Sequence, residues 1–231
     1  LTVFFIFTII IDIRGENIME NGVSNISRQA MQRLPYYLQF LKQLESSGEK
    51  VVSSPLIAEK FGLKEIQVRK DLAIVSSVSG KPRIGFEISR LIDDMENVLG
   101  YNEKNETVLI GVGSLGTALL SYKGFYYYGL NIVAAFDSDP DKVGKTVGGK
   151  PVLAISELSD YCRTHQIHIG IITVPAEHAQ QVADLLIKGS IQAIWNFAPT
   201  YLSTPSSILV QNESMAASLA ILSQHLKEKQ H

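Results

Sequence analysis

The 231 residues, 45% hydrophobic and 19% charged, suffice for one large core or for a medium core with a small companion domain, and they contain no repeat or low-complexity linker. The net charge of −2 hides a split: residues 19–86 carry 10 Lys+Arg against 6 Asp+Glu, a surplus of +4, while residues 87–231 carry 10 against 15, a balance of −5. Cys162 is the only cysteine, which excludes an internal disulfide and fits a reducing, cytoplasmic setting.

The run Leu1 to Ile13 is almost entirely apolar. It falls short of the roughly 20 residues that span a bilayer and lacks the basic start of a signal peptide. Residues 1–18, ahead of Met19, are therefore expected to be a dispensable leader, with a membrane-touching segment as the alternative. From Ser27 to Ser47, Ala30, Met31, Leu34, Leu38, Leu41 and Leu44 recur every three or four positions and predict a helix with one buried stripe. Ser54 followed by Pro55 reads as an N-cap and a first-turn residue, and Gly62 as the stop of a short second helix. In the third helix Val68, Leu72 and Val75 share one face, with Ile66 breaking the pattern on the polar side. Two helices about a glycine turn, the second offering Lys64, Gln67, Arg69 and Lys70, read as a helix-turn-helix. The turn Gly80-Lys81-Pro82-Arg83 predicts a wing whose Lys81 and Arg83 reach phosphates or a minor groove, a solvated hairpin being the plain alternative. A connecting helix follows over residues 87–104, its stripe made by Ile88, Leu91, Ile92, Met95 and Leu99.

Residues 105–211 alternate strands with helices. Strands are predicted at Val108 to Ile110, Ile132 to Phe136, Ile169 to Val174 and Ala193 to Asn196, with helices at Thr117 to Tyr122, Glu157 to His165 and Ala176 to Lys188. Such alternation implies an α/β domain with a doubly wound parallel sheet of Rossmann type. Residues 212–231 hold a final helix, from about Glu213 to Lys227, bearing Met215, Leu219 and Leu222.

The first strand runs into Gly111-Val112-Gly113-Ser114-Leu115-Gly116, and Asp137 ends the next strand 26 positions after Gly111. In that context Gly111 permits a tight turn, Gly113 lets backbone approach a pyrophosphate, and Gly116 lets the helix pack on the strand. Asp137 would accept from an adenosine ribose and repel a 2′-phosphate, which favours NAD(H). Ligands in such sheets lie across the carboxyl ends of the strands, nominating Thr173-Val174-Pro175 and Asn196-Phe197-Ala198-Pro199 as the nicotinamide end. His165, His168 and His178 are not placed as hydride-transfer acids or bases, and no paired ligand spacing suggests a metal.

From Ile26 onward the chain resembles the Rex family of redox-sensing transcriptional repressors. The resemblance is carried by Arg33-Leu34-Pro35-Tyr36-Tyr37, Gln67-Val68-Arg69-Lys70-Asp71-Leu72, the glycine run 111–116, Tyr122-Lys123-Gly124-Phe125, Val133-Ala134-Ala135-Phe136-Asp137, Ile172-Thr173-Val174-Pro175-Ala176-Glu177 and Asn196-Phe197-Ala198-Pro199. It implies a winged helix-turn-helix over residues 19–86, a Rossmann domain, and a homodimer exchanging its C-terminal helix. It also implies a non-enzymatic repressor that leaves double-stranded operator DNA when NADH binds, so sensing the NADH/NAD+ ratio. Arg69 and Lys70 would read the major groove, with Arg33, Tyr36, Ser54, Lys64, Gln67, Lys81 and Arg83 completing the DNA-facing set. The wing lacks the family's aromatic run, and Ser214 stands where many relatives have an aspartate. The alternatives are an NAD-dependent oxidoreductase with a helical extension and a nucleotide-binding interaction module without DNA activity.

Overall fold

The computed structural model describes residues 26–77, 80 and 85–229, so the leader and the wing residues Lys81 and Arg83 lie outside the described residues. The chain forms two compact units that divide between Glu103 and Lys104.

In the first unit, α1 (Arg28–Ser46) starts where the Ser27 hydroxyl accepts from Ala30 N–H at 3.2 Å. A short strand β1 (Val51–Val52) leads into α2 (Ser54–Phe61), capped by the Ser53 hydroxyl rather than by Ser54. Ser53 carries the extended backbone with which the chain leaves β1, a conformation an N-cap needs; Ser54 is already helical and buried. Gly62 closes α2 in the left-handed region at φ 63°, and Leu63 N–H reaches back to Ala58 O. Helix α3 (Glu65–Val75) follows at once. Strand β2 (Phe86–Glu87) pairs antiparallel with β1, and α4 (Ile88–Leu99) completes the unit. Gly85 sits at φ 96°, and a Cβ there would lie 2.2 Å from Val52 O, so only glycine lets the chain re-enter this pair.

One core serves all four helices: Leu34, Tyr37, Leu38 and Leu41 from α1, Ile57 from α2, Val68, Leu72 and Val75 from α3, and Ile88, Leu91 and Met95 from α4. The segment read as a connector is therefore an integral wall of the first unit. Its apolar stripe is buried against α1, which a free linker helix could not achieve.

The second unit is built on a seven-stranded sheet ordered β5-β6-β4-β3-β7-β8-β9. Its strands are β3 (Asn105–Ile110), β4 (Leu130–Asp137), β5 (Thr146–Val147), β6 (Lys150–Ala154), β7 (Ile169–Ile172), β8 (Ala193–Asn196) and β9 (Leu209–Asn212). All pairings are parallel except β5 with β6. From β6 to β9 this is the doubly wound order, whose direction reverses beside β3. Helices α6 (Leu158–Thr164) and α7 (Ala176–Lys188) pack with Val108, Ile110 and Phe136. Leu120 of α5 (Ser114–Ser121) packs with Leu109, Ala135 and Ile171, which alternate onto the other face. The last helix, α8 (Met215–Lys229), is exposed along its length.

Strands β5, β6 and β9 were not predicted, nor was the 3₁₀ segment Lys123–Tyr128. Lys150-Pro151 and Gln211-Asn212 lack strand-like patterning; β5 and β9 are edge strands held by one neighbour's hydrogen bonds, and β6 is held between β5 and β4.

Leu41 is fully buried in the first core. Leu41→Ala should destabilise that unit by about 2–5 kcal/mol, read as a shifted urea midpoint with an unchanged m-value.

Candidate nucleotide cradle and nucleic-acid interface

The register of the sheet assembles the first site. Phe136, Ile110, Ile172 and Asn196 stand side by side on β4, β3, β7 and β8. The next residue on each strand, Asp137, Gly111, Thr173 and Phe197, therefore leaves the same carboxyl edge at the point where the strand order reverses. Four segments distant in sequence become one row.

Gly111 takes φ 98°, and a Cβ on it would lie 2.8 Å from Val174 Cγ1. On Gly116 a Cβ would sit 2.0 Å from Gly111 O, which is how closely α5 crosses the strand end. Gly113 differs: its φ of −83° is open to any residue, and no protein atom lies within 4 Å of where its Cβ would be. Neither backbone strain nor packing requires glycine there, and the space beside it is open. Gly113 is also the N-cap of α5 and brings no side chain to it, leaving the first-turn N–H groups and the positive end of the helix dipole for an anion. Ser114 is exposed and Leu115 half-buried in that first turn.

Asp137 is 8% exposed. Its Oδ2 accepts from Val112 N–H at 2.7 Å and from Lys142 Nζ at 3.2 Å, and its Oδ1 accepts from Asp139 N–H at 2.9 Å. Burial pushes this carboxyl upward, but the Asp139 and Val112 amides and Lys142 outweigh it and hold the group below the usual carboxylate range. Asp137 thus clamps the glycine loop while Oδ1 retains an acceptor site for a hydroxyl. Lys142, which the sequence reading passed over, sets a cation beside it.

The other predicted residues divide by role. The Thr173 hydroxyl lies 2.7 Å from Gly111 O and 3.0 Å from Ile110 O, so it holds the loop. Asn196 is fully buried, its amide bonded to Ala198 N–H and O, Thr200 O and Asn212 Oδ1. Asn196 and the buried Ala198 shape the β8 turn, behind the more accessible residues of that edge. Val174, Pro175, Phe197 and Pro199 remain as accessible apolar groups. Phe197 packs on Trp195, which packs on Phe125, while Trp195 Nε1–H donates to Glu213 Oε1 just ahead of α8.

In the first unit, α3 presents Lys64, Ile66, Gln67, Arg69 and Lys70 to solvent and buries Val68, Asp71, Leu72 and Val75. Arg69 pairs with Glu65 one turn back, and Tyr36 on α1 is exposed. Arg33, expected at DNA, is committed inward: Nε and Nη2 donate to Asp71 Oδ2 at 2.8 Å and Oδ1 at 2.9 Å. Asp71 is a buried charge, and only a bidentate cation compensates it. Tyr37 OH donates to the same Oδ2 at 3.0 Å. Burial raises the Asp71 carboxyl, yet the hydrogen bonds from Arg33, Gln67 and Tyr37 prevail and keep it below its ordinary value. Ser54, also expected at DNA, is buried at the start of α2.

The model described as "Putative DNA-binding protein N-terminus" matches residues 25–73, and the one described as "CoA binding domain" matches residues 102–200. The redox-sensing transcriptional repressor Rex of Bacteroides thetaiotaomicron is 38% identical over 208 residues, covering 90% of this chain and 94% of its own. The Rex protein of Treponema denticola is 42% identical over 193 residues, covering 84% and 91%. The chain belongs to the Rex family of redox-sensing transcriptional repressors. Among solved structures, RSP in complex with β-NAD+ and operator DNA matches with a TM-score of 0.83 at 31% identity, over 90% of this chain and 95% of that one. RSP in complex with β-NADH matches with a TM-score of 0.78 at 31% identity, over 90% and 97%. The winged-helix and Rossmann order expected from the Rex resemblance is the order these relatives share.

Burial and then Asp71 push the Tyr37 hydroxyl up to about 12, from the ordinary 10.0. A raised folded-state value stabilises the fold fully below pH 10, and the contribution is lost as pH rises toward 12. Tyr37→Phe should cost about 1–3 kcal/mol at neutral pH and make the alkaline loss of stability shallower in pH-jump denaturation. In the second unit Gly116→Ala should cost about 1–3 kcal/mol in chemical denaturation, whereas Gly113→Ala should leave the midpoint unchanged.

Proposed function

We propose that this chain is a transcriptional repressor that holds double-stranded operator DNA through α3 and releases it when NADH binds the second unit. One observation carries the reading: the same chain holds a helix with Lys64, Gln67, Arg69 and Lys70 exposed and a glycine cradle beside Asp137 that no internal packing explains at Gly113. Lys64, Arg69 and Lys70 supply phosphate and base-edge contacts, Tyr36 adds a contact from α1, and the exposed Ile66 fits a thymine methyl. Lys81 and Arg83, which lie outside the described residues, are further candidates for phosphate contact.

The residues at the carboxyl edge fit a dinucleotide. The backbone from Gly111 to Gly116, with Val112, Ser114 and Leu115, holds the pyrophosphate at the start of α5, and Asp137 Oδ1 accepts from the ribose. NAD(H) is the cofactor of this reading. Val174, Pro175, Phe197 and Pro199 present an apolar wall, where a neutral dihydronicotinamide keeps more of its solvation balance than a cationic nicotinamide does. The cradle and Asp137 meet parts common to both oxidation states, so discrimination falls to that wall.

The exposed apolar stripe Met215, Leu219, Leu222 and Leu226 on α8 supports a homodimer in which this helix is exchanged with a second copy. A cytoplasmic regulator, and not an enzyme, is the form this takes. Thr173 and Asn196 are occupied in the turns, and the relatives are named as repressors. Oxidation of hydroxy acids or aldehydes by the chain with NAD+ would overturn that part.

The test is a duplex-retention assay with NADH titrated in. Retention that NADH leaves unchanged would overturn the reading. A typical coupling of about 1–3 kcal/mol lowers DNA affinity roughly 5- to 150-fold, and linkage requires saturating operator to weaken NADH binding by the same factor. Gly113→Ala, neutral for the fold, should weaken NADH by at least about tenfold in the same titration, equivalent to about 1.4 kcal/mol.

A further inference from the structure

Gln67 sits on the exposed side of α3, yet its amide is not free to turn. Nε2 donates to Asp71 Oδ1 at 3.0 Å. The same oxygen accepts from Arg33 Nη2, and Oδ2 accepts from Arg33 Nε and Tyr37 OH. A carboxylate only accepts, at about four lone-pair sites, and here each oxygen receives two donors. Asp71 is 1% exposed, so no water replaces a lost donor. Turning the Gln67 amide over would set Oε1 against Oδ1, two acceptors face to face, and strip the buried charge of a partner. Only one orientation is admissible: Nε2 inward, Oε1 outward.

We infer that Gln67 reads operator DNA through Oε1, as an obligatory acceptor for a base-edge amine, adenine N6 or cytosine N4, and that the Asp71 cluster sets this polarity. This rests on the reading of α3 as the DNA-facing helix. A glutamine free to turn could donate to guanine O6 and N7 or to thymine O4 as readily as accept. The anchored amide opposes its oxygen to those acceptors and rejects them. Asp71, Arg33 and Tyr37 touch no base; they are positioning residues that convert an ambivalent side chain into one of fixed sign.

The experiment uses the full chain and a duplex that it selects from a random-sequence pool. Within that duplex, each adenine is replaced in turn by purine, which lacks N6, and each cytosine by 2-pyrimidinone, which lacks N4. The wild-type chain should lose about 5- to 10-fold in affinity at one position, and Gln67→Ala should show no loss there while keeping the losses elsewhere. Asp71→Asn supplies a second arm: reselection should relax preference at that position alone, admitting guanine and thymine, whereas a merely structural defect would weaken every position together. Identical amine-deletion profiles for wild type and Gln67→Ala would overturn the inference. So would a Gln67-dependent loss produced by removing guanine O6. Failure of the wild-type chain to retain any duplex would overturn the operator-binding reading itself, a distinct result.

Discussion

A carboxylate withdrawn from water must be met by donors at its lone pairs, and each unit of this protein is organised around one such group. Asp71 ties α1 to α3 through Arg33 and Tyr37, so the helix that carries the exposed cations is fixed by a charge it hides. Asp137 ties the end of β4 to the loop after β3 through Val112 N–H, so the glycine turn is held by a residue from the neighbouring strand. In both places the buried anion is a poor source of net stability by itself, because desolvation offsets most of the attraction. Its value lies in geometry: removing the cation would leave a buried charge unpaired, and the neutral donors fix the direction in which each carboxylate oxygen points.

These clamps bear on function through what they leave free. At Asp137 three donors occupy the carboxylate and leave Oδ1 one acceptor position, while Lys142 offsets the negative charge that would repel an anion. At Asp71 no position is left, and the consequence passes outward to Gln67 as a fixed orientation. The first clamp preserves a binding capacity and the second restricts one.

The two units also differ in how their cores relate to their sites. In the first, the buried stripe of α3 and its exposed face are opposite sides of one helix, so any repacking at Val68 or Leu72 moves the cations directly. In the second, the site lies beyond the strand ends, and the sheet transmits position through register. The ring contacts from Phe197 through Trp195 to Phe125, with Glu213 bonded to Trp195, join the cleft side of the sheet to the segment that begins α8.

The sequence by itself determined the helices of the first unit, the strands that run into and flank the glycine loop, and the identity of that loop. Each is encoded locally, in a period of 3.6 residues, a short apolar run or a glycine at a turn. It also determined the family, because seven separated motifs agree. Other features arise between segments that sequence order keeps apart. The commitment of Arg33 to Asp71 joins residues 38 positions apart, and the withdrawal of Asn196 and Thr173 into turns depends on which carbonyls happen to face them. A polar side chain looks the same in a string whether its partner is a ligand or its own backbone. Tertiary structure decides which, since it alone shows where the lone pairs and donors of a buried group are already satisfied.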